Sequence, residues 1–197
     1  MTRSRAILAA TSIAAAAVLL VAGCDDDPPA TPSAAPTATD VGPSASPSPS
    51  SSAVVVAPER PQEMDDDGPA GAEAAAVYFL ELDAYIMKTG DTAEWEAMSQ
   101  KNCGFCNERA KQAATIAREE YVYEGGEIRA KALHTYEQDA ATGIWPIDVE
   151  TRVQAWTVTY DDKEVASQNA VNSTQRVEVA RASDSWVIVG VVNDTEK

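Results

Sequence analysis

Cys103 and Cys106 stand three residues apart in the stretch "KNCGFCNERAKQAA". Two thiols at that spacing can close a local disulfide, cycle as a redox couple, or supply half of a zinc site. Zinc needs four ligands, and the chain adds a single histidine, His134, so a metal site is not expected. A thiol at the start of a helix has a lowered pKa, which suits redox work. Thioredoxin-type couples, however, follow a strand in a βαβ pattern, whereas helical patterns precede this pair. The compartment decides between staple and couple.

A third cysteine bears on the compartment. Arg3 and Arg5 open the chain, and the apolar run "AILAATSIAAAAVLLVAG" follows. Residues 1–23 therefore read as a secretory signal peptide. Its ending, Val21-Ala22-Gly23-Cys24, resembles a bacterial lipobox, with valine where leucine is commoner. That resemblance implies a diacylglyceryl group on Cys24, cleavage before it, and a mature protein held on the extracytoplasmic face of the cell membrane. Two or three acyl chains anchor firmly, each buried methylene contributing about 0.8 kcal/mol. Outside the cytoplasm the two remaining thiols are expected to pair with each other as a structural disulfide.

His134 is the other residue with catalytic potential. It falls in a strand-like run, on the same face as Ile128, Ala130, Ala132 and Tyr136 by simple alternation. General acid–base work needs a carboxylate partner, for which Asp83, Asp148 and Glu150 are the candidates. Tyr78, Tyr85 and Trp156 join His134 as possible pocket residues, although aromatics at these spacings are core residues first. No Ser/His/Asp motif and no glycine-rich phosphate loop occurs. No catalytic residue, cofactor or metal is assigned.

Charge narrows the partners. The formal net charge is −16; residues 25–69 carry nine acids against Arg60 alone, and residues 70–197 carry 22 acids against 12 bases. Nucleic-acid binding needs clustered Lys and Arg to displace phosphate counterions, and no such cluster exists. The expected partners are the membrane, through lipid on Cys24, and an envelope protein or a small apolar ligand.

These residues must be positioned by something. Residues 24–69 hold ten of the eleven prolines among Ala, Ser, Thr and Asp, the composition of a disordered linker. Residues 70–197 form one domain. A first helix is marked by Ala74, Tyr78, Leu82 and Tyr85 at four- and three-residue steps, and Gly90 ends it. Asp91 and Glu94 suit a capping box for a short second helix. Asn102 suits the cap of a third, on which Phe105, Ala110, Ala113 and Ile116 make an apolar stripe. Beyond Gly125-Gly126 four alternating runs follow, beginning at Glu127, Ile147, Gln168 and Asp184, separated by turns at 141–143, 161–163 and 183–184. Breaks of hairpin length give an antiparallel meander. Its expected core face carries Trp156, Val158, Tyr160, Val177, Val179, Val187, Val189 and Val191.

The set Gly90-Asp91, Cys103, Cys106 and Gly125-Gly126 resembles that of actinobacterial lipoproteins of unknown function with a nuclear transport factor 2-like domain. The resemblance covers residues 70–192. It implies an α+β cone, with N-terminal helices packed on a curved four-stranded antiparallel sheet and a pocket between them. The expected role is a membrane-anchored ligand-binding or protein-interaction module. The rivals are a thiol–disulfide oxidoreductase using Cys103 and Cys106, and a small isomerase- or dehydratase-like enzyme using His134.

Overall fold

In the computed structural model, which describes residues 54–193, three helices precede or support seven strands. The helices are α1 (Pro69–Thr89), α2 (Ala93–Ala97) and α3 (Gly104–Arg118). The strands are β1 (Val122–Gly125), β2 (Ile128–Thr135), β3 (Trp145–Val153), β4 (Trp156–Tyr160), β5 (Lys163–Gln168), β6 (Val171–Ala182) and β7 (Ser185–Asn193). All pair antiparallel, in a three-stranded sheet β1-β4-β5 and a four-stranded sheet β2-β3-β6-β7. The α+β order and a four-stranded antiparallel sheet both hold, but a second, three-stranded sheet is present in addition.

The physical reason is a break at Gln154-Ala155. The run from Ile147 to Asp162 holds no turn residue, so it reads as one strand, although its apolar phase shifts from odd to even positions at Ala155-Trp156. In space β3 pairs with β2 and β6, while β4 leaves for β1 and β5. The short β1 and the wholly exposed β5 carry too little apolar alternation to be seen in the sequence.

α1 is the central element. Pro69 takes the first helical position, where a missing N–H costs nothing, and Gly90 closes the helix at φ 72°. Ala72, Ala75, Ala76, Phe79, Leu80, Leu82, Ile86 and Met87 are buried on it, against Ile147 and Val149 of β3, Val177 and Val179 of β6, and Trp186 and Ile188 of β7. Two carboxylates of α1 also hold the edge strand: Glu73 accepts from the Thr135 hydroxyl (2.5 Å) and Glu81 from the Ala130 amide (3.1 Å). That covers the ladder groups an edge leaves open.

Residues 54–68, which composition assigns to the linker, lie on this body. A 3-10 turn, Gln62–Asp65, buries Met64, whose carbonyl accepts the Trp186 indole N–H at 3.0 Å.

Three bulges reset strand faces. One between Ala132 and His134 leaves Leu133 and His134 both exposed and turns Thr135 inward. His134 and Tyr136 therefore face solvent, not the face of Ala130 and Ala132. Another between Glu178 and Val179 shifts β7, so Trp186 and Ile188 fill the core in place of Val187 and Val189, while Val191 still packs against it. The third puts its extra residue, Val165, on β5; on β4, Val158 is buried and Tyr160, at the strand's end, is exposed. One extra residue inverts every side chain beyond it.

The caps differ as well. Thr92, not Asp91, precedes α2, and Asp91 instead accepts from the Ala93 amide and the Tyr85 hydroxyl. Cys103 caps α3 in place of Asn102, its sulfur accepting from the Cys106 amide at 3.2 Å.

Candidate functional site

Asp83 is the one buried carboxylate among the described residues. Its neighbours at one helical turn on α1 are Phe79, Leu80, Ile86 and Met87, so the helix carries it inward on an apolar stripe. A charge so placed must be paired. The partner is Arg109 of α3: its Nε donates to Asp83 Oδ2 at 2.5 Å and its Nη2 donates to Asp83 Oδ1. Nη1 donates to Gln112 Oε1, one turn on along α3, at 2.6 Å. Burial works against the guanidinium's charge, yet Asp83 outweighs it and raises the Arg109 pKa.

Tyr123 of β1 completes the group. Burial pushes its phenol up to about 12, the Asp83 charge adds to the rise and Arg109 opposes it. The hydroxyl is thus neutral throughout the physiological range. Its seat depends on Gly126: a Cβ there would stand 2.2 Å from the Tyr123 hydroxyl, and φ is 74°. The Gly125-Gly126 pair therefore does more than end a helical half. It turns the chain from β1 into β2 and makes room for the phenol.

Trp156, at the start of β4, stacks on Tyr123 with ring centroids 5.6 Å apart and planes 26° from parallel. Arg109, Tyr123 and Trp156 line two clefts. The larger, about 600 Å³, lies between α3 and the three-stranded sheet and is floored by Met87, Ile116, Val158 and Val165. The smaller, about 310 Å³, is bordered by Leu80, Asp83, Thr151, Gln168, Gln175 and Asn193. Both volumes lie in the range of small-molecule sites.

The other candidates fall elsewhere. Tyr78 is buried in the core, its phenol raised mainly by burial. Tyr85 borders a separate groove with Val54, Val55, Val56 and Pro58, and its hydroxyl donates to Asp91 at 2.9 Å. His134 is exposed, edge-on to Tyr136, and lines neither cleft. It faces Asp148 across the β2–β3 ladder, but that carboxylate is held by Arg176 and Tyr136. The structure therefore gathers only Trp156 of the four pocket candidates at the clefts. The acid–base site that the rival reading places at His134 is not assembled.

Cys103 and Cys106 lie at disulfide distance, with both sulfur-bearing residues buried. The Trp95 indole donates to the Cys106 carbonyl at 2.9 Å, and Trp95 stacks on Phe79. The pair closes the first turn of α3, and Trp95 fastens that turn to α2 and α1. Val21, Ala22, Gly23 and Cys24 lie outside the described residues. Among the described residues, no group of three His, Cys, Asp or Glu side chains is placed to hold a metal, and no helix is long and apolar enough to cross a membrane.

Fold and site define an α+β domain with a cleft between helix and sheet, walled by a buried ion pair and stacked aromatics. The match of residues 48–192 to DUF6318, a family of unknown function, shows that the chain belongs to that family. No curated protein matches it. Among solved structures it is similar to the intermembrane space region of the chloroplast protein ARC6, with 12% identity, a TM-score of 0.46, and 64% of this chain and 95% of that one covered. It is also similar to the NTF2-named chain Rd1NTF2_05, with 13% identity, a TM-score of 0.36 and coverage of 60% and 92%. A periplasmic fragment of TraM gives 11% identity, a TM-score of 0.40 and coverage of 60% and 94%.

Proposed function

We propose that the chain is a lipid-anchored, extracytoplasmic binding module, with a nuclear transport factor 2-like cone whose helix–sheet cleft takes a small ligand. The observation that carries the reading is the cleft itself. A paired Asp83–Arg109 couple, a neutral Tyr123 and a half-buried Trp156 converge on the smaller cleft, and all but Asp83 also line the larger one. Apolar walls with a few placed polar groups are the usual make-up of a ligand site. The anchoring part of the reading rests on the sequence: the signal-like start, Val21-Ala22-Gly23-Cys24, and a proline-rich stalk. The buried, disulfide-distance pair suits an oxidising compartment and gives a redox partner little access to sulfur.

Native mass spectrometry of the full chain, expressed with its own signal in a bacterial host, tests both halves. The expected result is an acyl mass lost in Cys24→Ser, and a bound small molecule lost in Trp156→Ala. A chain without acyl mass contradicts the anchoring. An empty protein, or one whose ligand survives Trp156→Ala, contradicts the cleft.

A further inference from the structure

The charges around the clefts narrow the ligand. Resting on the binding reading above, we infer that the ligand is uncharged, with a flat or aliphatic body that stacks on Trp156 and an acceptor oxygen held by Arg109.

Every charged side chain lining the two clefts has an opposite partner. Arg109 is held by Asp83 at two points, and Lys111 by Glu108 at 2.8 Å. Neither sign is in surplus. In the smaller cleft, whose charged lining is Asp83 and Arg109 alone, an anion would meet Asp83 with no spare cation to receive it, and a cation would meet Arg109 in the same way. Leaving a charge unpaired in a desolvated space costs several kcal/mol. The net charge of −16 adds a general repulsion against anions.

What remains open is hydrogen bonding. A guanidinium has five N–H groups. Three are engaged by Asp83 and Gln112, which leaves two for the Tyr123 hydroxyl and a ligand oxygen. Besides the paired Asp83, the smaller cleft adds only neutral polar groups: Gln168, Gln175, Asn193 and Thr151. Gln175 donates to Asn193 at 2.9 Å, and Thr151 pairs with Ser173 at 2.9 Å. Amides and hydroxyls of this kind read carbonyl and hydroxyl oxygens. Trp156 reaches both clefts and supplies a broad apolar face to the body of the ligand.

The test is isothermal titration of the full chain with three probes that share one body: naphthalenemethanol, naphthoate and naphthylmethylammonium. The neutral alcohol is expected to bind at least about tenfold more tightly than either ion, and to lose its heat signal in Trp156→Ala. A charged probe that binds as tightly or better, and is equally lost in Trp156→Ala, overturns the uncharged class while the binding reading stands. No binding by any probe, or binding untouched by Trp156→Ala, overturns the binding reading and this inference with it.

Discussion

The molecule carries the same trio of side chains twice. Asp83, Arg109 and Tyr123 meet between helices and sheet. Asp148, Arg176 and Tyr136 meet on the solvent face of the four-stranded sheet. There Arg176 Nε and Nη2 donate to Asp148 at 2.8 and 3.0 Å, Tyr136 donates to Asp148 at 2.9 Å, and Arg176 lies 4.6 Å above the Tyr136 ring. The hydrogen-bond pattern is nearly shared, but the surroundings are not. The carboxylate side chains are 5% exposed inside and 16% outside, the guanidinium side chains 24% and 41%, and Tyr123 is 7% exposed against 38% for Tyr136. Water decides what the same chemistry is for. Outside, the trio is a cross-strand clasp on one row of the ladder, where Asp148 faces Arg176 directly. Inside, it is a neutralised, water-poor wall to a cleft.

The largest difference is expected on removing one charge. Asp83→Asn strands Arg109 in a largely buried place and is expected to cost about 3–5 kcal/mol. Asp148→Asn breaks a part-exposed clasp and is expected to cost about 1 kcal/mol or less. Urea denaturation of the two variants measures this; equal costs would erase the distinction between the two regions.

A middle-sized effect lies in alkali. The folded-state pKa of Tyr123 is raised to about 12, so above the ordinary phenol value the unfolded chain sheds a proton that the folded chain keeps. Stability is therefore fully present below pH 10 and falls as pH rises toward 12, by about 2 kcal/mol from this group. Denaturation curves at stepwise pH should show Tyr123→Phe losing less over that window than the parent chain. A parent and Tyr123→Phe that fall in parallel contradict the burial of the phenol.

The smallest effect concerns acid. Arg176 holds the Asp148 carboxyl below its ordinary value, with Tyr136 assisting. That contribution is present above the unfolded carboxylate value and is lost as pH falls through the lower, folded one. Asp148→Asn should flatten the acid limb slightly, by less than about 1 kcal/mol, and 1 M salt should shrink the difference. A difference indifferent to salt contradicts the exposed setting.

How far these regions show in the sequence follows from the same contrast. The four- and three-residue steps of α1 and the Gly90 stop are plain, because one long helix buries a broad stripe. Asp83 is legible too, since Phe79, Leu80, Ile86 and Met87 flank it at helical spacing and demand a cation. Which cation is not legible: Arg109 lies on a helix with several charged residues, and only packing selects it. Tyr123 sits on a strand of four residues, too short to give a period. His134 and Tyr136 reverse faces through a single bulged residue, a tertiary detail without a local marker. The switch between sheets at Gln154-Ala155 leaves one trace, a shift of the apolar phase from Val153 and Ala155 to Trp156 and Val158, but no turn residue marks it.

The central claim is that the inner trio, and not its outer twin, is a binding wall. A fragment screen on the isotope-labelled full chain, read by chemical-shift changes, tests it most directly. The account predicts that uncharged aromatic fragments move the signals of Trp156, Tyr123 and Arg109 together and leave Tyr136 and Arg176 in place. Fragments that gather at Tyr136 and Arg176, with the inner signals still, would contradict it.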